Sequence, residues 1–177
     1  MPTVYSPDSA TTAEILIRAK ALLATGTGLD PSKVFIALAN DAEPVPACKE
    51  QHVTVRFDAP DPDSYAGAGR RSTRTKRPLI VTVFTRRNTD QVRRGDTFYA
   101  SAAGHYVVED AVINTLHDKF IFADDTNARK LTAIPVHWMP GVQAAKTPTP
   151  EPGWGWSIFS FEVDYIQRMA LDLTVGE

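Results

Sequence analysis

Thr11-x-x-Glu14 precedes an apolar stripe at helical spacing, with Ile15, Ala19, Leu22 and Leu23 on one face. A threonine cap and a glutamate three residues on satisfy each other's backbone amides, the capping-box arrangement. Gly26 and Gly28 can take the left-handed conformation that ends a helix. The pattern predicts an amphipathic helix over residues 9–25. Val34 to Asn40 is a short apolar run between Asp30-Pro31 and Pro44, and reads as a buried strand. From His52 to Asp58 the chain alternates: Val53, Val55 and Phe57 point one way, Thr54 and Arg56 the other, as in a half-buried strand. Leu79 to Thr85 is apolar on both faces, which places that strand inside a sheet.

The second half repeats the alternation of helix and strand. Asp96 or Thr97 can cap a helix whose broad apolar face comprises Phe98, Ala102, Tyr106, Val108, Val112, Ile113, Leu116 and Phe120, with Gly104 a small cost in its interior. Asp124 to Asn127 reads as a turn. Leu131 to Met139 reads as a strand that Pro135 confines to an edge or a bulge. Trp154 to Met169 is the clearest strand, with Phe159, Phe161, Val163 and Tyr165 on one face. The order α-β-β-β-α-β-β predicts an α+β fold: a mainly antiparallel sheet with two helices packed on one face. The last two strands are expected to form a long antiparallel hairpin, and the second and third strands another, with a long basic loop at its tip.

Two stretches have no period. Residues 59–77 hold Pro60, Pro62, Gly67, Gly69 and five basic residues; residues 143–153 hold Pro148, Pro150, Pro152 and Gly153. Loops of this length inside a compact domain are functional or disordered. The chain has 177 residues, 43% apolar and 23% charged, which suits one globular domain over 1–177. Its net charge of -2 hides a polarity. Arg70 to Arg94 carries nine Lys/Arg and one acid, Asp90, a charge of +8, against -10 for the rest of the chain. Such a segment meets phosphates, an acidic protein face, or an acidic patch on a second copy. A solvated loop plus one exposed strand face would carry the same charges.

Candidate chemistry is sparse. The one cysteine, Cys48, allows no internal disulfide and no cysteine-based zinc site, as in a reducing compartment or a particle assembled in one. No apolar run approaches a membrane span, and the first residues lack a signal-peptide pattern. Gly67-Ala68-Gly69 lies between strands and fits no nucleotide fingerprint, and HExxH, GxSxG and CxxC do not occur. His105 and Glu109, four apart, suit a hydrogen-bonded pair on a helix surface. Glu162 and Asp164 share a strand face and suit acid–base work only inside a cleft. Trp154 and Trp156 flank Gly155; a pair at a strand end closes a core or fills a subunit contact more often than it stacks a sugar or base. No catalytic residue, cofactor or metal is expected, so the chain reads as a structural protein and not an enzyme.

The order of elements resembles the small neck proteins of tailed bacteriophages, in particular the tail-terminator family. The resemblance rests on the helix Thr11 to Ala24, the strand Val34-Phe35-Ile36-Ala37, and the basic approach Arg74-Thr75-Lys76-Arg77 into Pro78-Leu79-Ile80-Val81-Thr82-Val83. It continues through a helix over Tyr99 to Phe120 and a closing strand that ends Phe159-Ser160-Phe161-Glu162-Val163-Asp164-Tyr165. It covers most of the chain as a pattern of elements and contains no specific short motif. It implies a homo-oligomer, a hexameric ring that caps the tail tube and meets the head-completion or connector proteins. The ring belongs to the virion and assembles in the host cytoplasm, and DNA passes through its lumen without being read. Arg70, Arg71, Arg74, Lys76 and Arg77 would then contact a neighbouring subunit or the tube, with Trp154 and Trp156 near an interface. A head–tail connector or adaptor is the alternative in the same setting, and a small nucleic-acid-binding domain is the alternative outside it.

Overall fold

The computed structural model describes residues 9–38, 44–45, 48, 51–58, 72–86, 104–121, 134–142, 144 and 153–168. Thr11 caps α1 (Thr12–Thr27) as the sequence predicts: Glu14 N–H donates to Thr11 Oγ1 at 3.2 Å and Thr11 N–H to Glu14 Oε2 at 2.7 Å. Ile15, Ala19 and Leu23 face the core, and Leu22 packs beside them, partly buried. The helix begins later and ends later than expected. Ser9–Ala10 forms β1, and Gly26 lies inside the helix, leaving Gly28 (φ 67°) as the left-handed cap. Gly26 has a different use: a β-carbon there would overlap the side chain of Thr115 on the second helix.

A short 3-10 turn, Pro31–Lys33, leads into β2 (Val34–Ile36). β2 is an edge strand lying parallel to β3 (His52–Phe57). Only Val34 is buried in it, and Ile36 is 43% exposed, so the expected buried strand over 34–40 is corrected to three residues on the rim. β3 departs in the opposite sense. All six of its residues are buried, Thr54 and Arg56 included.

β4 (Ser72–Arg86) starts well before Leu79, so Arg74, Lys76 and Arg77 lie on a strand and not in the loop assigned to 59–77. It pairs antiparallel with β7 (Trp154–Arg168) along its whole length, Ser72 opposite Arg168 and Arg86 opposite Trp154. It also pairs antiparallel with β3, His52 opposite Phe84 and Phe57 opposite Leu79, which makes it the interior strand its two apolar faces predict. Residues 59–71, between β3 and β4, lie outside the described residues, as does most of the Pro-rich stretch 143–153 and the turn 124–127.

The second helix, α2, is His105–Leu116. Gly104 is its cap, with extended backbone (φ -64°, ψ 153°), and not an interior residue. A helix running through it from 99 to 120 is therefore excluded; residues 96–103 lie outside the described residues. Val108, Val112 and Leu116 point inward, while Tyr106 is 46% exposed. After Leu116 the chain reverses through Asp118 (φ 53°) into β5 (Lys119–Phe120), which pairs with β6 (Pro135–Trp138). Pro135 is the first residue of β6, where a missing N–H costs least. β6 pairs antiparallel with β7 over only three residues, from Val136 opposite Val163 to Trp138 opposite Phe161. The long hairpin expected of the last two strands is thus a short one, and the long partner of β7 is β4.

The sheet order is β2-β3-β4-β7-β6-β5, with β1 parallel to β7 beside it. Most pairs are antiparallel and the architecture is α+β. One core cluster joins the inward residues of α1 and α2 to Val53, Val55, Val81, Val83, Phe161 and Val163 on one sheet face. Among the described residues, no helix is long and apolar enough to cross a membrane.

Candidate functional site

Alternation along β4 separates the basic residues. Lys76 lies on the sheet face opposite the helices, and Arg77 on the helix face. Lys76 stands across from Asp164, and its Nζ lies 3.1 Å from Glu162 Oε1 with the side chain 58% exposed. Glu162 is thereby part of a surface ion pair. Arg77 is half-buried. Its Nε donates to the carbonyl oxygen of Asp58 at 3.0 Å, and its guanidinium sits 4.9 Å from the centroid of Phe57. Phe57 stacks on Tyr165, so Arg77 closes one end of the core as well as carrying charge. The backbone of Arg74 lies across from Ile166. Arg70 and Arg71 lie outside the described residues.

Trp154 and Trp156 share the Lys76 face, at the other end of the strand pair. Lys76 and Phe84, which faces Trp156, are eight residues apart, so the two groups are separated by roughly 27 Å at strand rise. Between them Ile80, Thr82 and Ser160, on the same face, are buried. The tryptophan end is an aromatic cluster around His52. His52 stacks on Phe84 (5.0 Å, 21°) and meets Phe35 (5.8 Å, 87°) and Trp154 (5.2 Å, 80°) edge to face. Both tryptophans are half-buried.

Among the described residues, three polar groups are held in ways that sequence spacing announced only in part. The first is built on His105 and Glu109, whose helical spacing was legible but whose burial was not. His105 is 4% exposed; its Nδ1 meets Thr85 Oγ1 at 2.7 Å, and its Nε2 lies 2.9 Å from Ser157 Oγ and 3.0 Å from Glu109 Oε1. Ser157 Oγ also donates to Glu109, and Gln51 Nε2 donates to Thr85 Oγ1 at 3.1 Å. A nucleophilic serine needs its imidazole nitrogen free to take the hydroxyl proton, with the carboxylate on the other nitrogen. Here serine and carboxylate meet the same nitrogen, so the group ties α2 to β4 and β7 and does not activate Ser157. Its members come from four separate segments, which is why no motif signals it.

In the second cluster Asp118 receives two imidazoles, His137 Nδ1 at 3.0 Å and His117 Nε2 at 3.4 Å. The Trp138 amide donates to His117 Nδ1 at 3.2 Å, so the proton of a neutral His117 sits on Nε2 and that nitrogen has no lone pair for a metal. No group of three or more His, Cys, Asp or Glu among the described residues could hold a metal ion. The third is Arg56, whose side chain is 2% exposed, with Nη1 3.7 Å from Asp58 Oδ1 on the same strand face. Its reading as the polar side of a half-buried strand is corrected to a buried ion pair. No protein-family model matches the chain, and no curated protein matches it.

Proposed function

We propose that this chain is a structural protein of a tailed-bacteriophage neck, a tail terminator whose copies form a ring that caps the tail tube and joins it to the head-completion proteins. The observation that supports this reading most is the charge polarity laid along one long strand. Nine Lys/Arg lie between Arg70 and Arg94, on β4 and immediately before and after it in sequence, in a chain otherwise charged -10. A patch of one sign and a body of the other can pair head to tail between copies. A head-to-tail contact that closes leaves no copy unsatisfied, and the closed form is a ring. The basic segment that joins β3 to β4, with Arg70 and Arg71, is the arm assigned to the neighbouring subunit or the tube. Lys76, on the strand that follows it, is an exposed cation, and Trp154 and Trp156 supply apolar area at the other end of the same face. The role needs no catalysis and no cofactor. The ring number expected from the resemblance is six.

Mass in solution by light scattering, at low and at moderate salt, tests the reading. A ring that loosens as salt rises supports basic arms bridging acidic neighbours, since exposed pairs are screened beyond roughly 10 Å at 0.1 M salt. Electron microscopy of that species gives the ring number and separates a terminator from a connector. A monomer at both salts that shifts duplex DNA would sink the ring. In that case replacing Arg70, Arg71, Arg74, Lys76 and Arg77 together by Ala abolishes the shift if the segment binds phosphate.

A further inference from the structure

We draw no further inference here: the strongest candidate, the exposed apolar patch of Ile36 and Leu38 at the β2 rim of the sheet, carries nothing because nothing in the structure shows what covers it.

Discussion

Gly26 and Thr115 set how closely α1 and α2 approach. Alanine is the better helix former by about 1 kcal/mol, yet a β-carbon at 26 has no room against Thr115. Overpacking of this kind costs about 1–3 kcal/mol, so Gly26→Ala is expected to lower the urea midpoint and Thr115→Ala in the same chain to restore part of it. Lys76 and Arg77, neighbours of equal charge, separate in the same way. The Lys76–Glu162 pair is solvent-exposed, and Lys76→Ala is expected to change stability by less than about 1 kcal/mol. Arg77→Ala removes a bond to Asp58 and the cover over Phe57, and is expected to cost about 1–2 kcal/mol by denaturant titration. Asp30 is a third case. Hydrogen bonds from the Ser32 hydroxyl and amide hold its carboxyl below the usual aspartate value. Its contribution is present above the ordinary aspartate range and lost as pH falls through the lowered value. Asp30→Asn should erase that small acid-side dependence in thermal melts, and an unchanged profile would show the turn to be indifferent to the charge.

Among the elements, α1 was legible because every signal for it is local. Cap, stripe and left-handed glycine lie within one stretch of sequence, and Thr11→Ala is expected to cost about 1 kcal/mol in melting experiments. α2 was misplaced at both ends because apolar periodicity continues on either side of it, at Ala102 and at Phe120. Gly104 and His117, both in extended conformation, bound it, and Asp118 (φ 53°) then reverses the chain. β4 was shortened for a related reason. Arg74 to Arg77 look like loop, but alternation turns Thr75 inward, where it is 1% exposed, and sets Lys76 and Arg77 on opposite faces. The tie among His105, Glu109 and Ser157 belongs to this scale, since it fixes α2 on β7. Removing either partner leaves a buried polar group short of a bond, so Glu109→Ala and Ser157→Ala are each expected to cost about 1–3 kcal/mol. Because they share a bond, their effects should fall short of additive by about 0.5 kcal/mol or more in a double-mutant cycle. Strict additivity would mean that the two do not act together.

For the whole molecule, the central fact is the full-length pairing of β4 with β7, which brings Ser72 to Arg168 and Arg86 to Trp154. That pairing places the Lys76–Glu162 ion pair and the two tryptophans at opposite ends of one face. The core beneath it is continuous, and Phe161, fully buried at the middle of β7, is expected to cost about 3–5 kcal/mol on Phe161→Ala.

What the sequence alone determined is what depends on neighbours along the chain: the capping box of α1, the alternation in β3, β4 and β7, the interior place of β4, and the charge polarity between Arg70 and Arg94. Those features follow from side-chain periods of 3.6 and 2 and from local hydrogen bonding. Only the tertiary structure decided which strand lies beside which, that Thr54 and Arg56 are buried, that Gly104 caps a helix, and that His52 receives a backbone amide from Val45. Each of these depends on groups brought together from distant parts of the chain, and no local period encodes a distant partner.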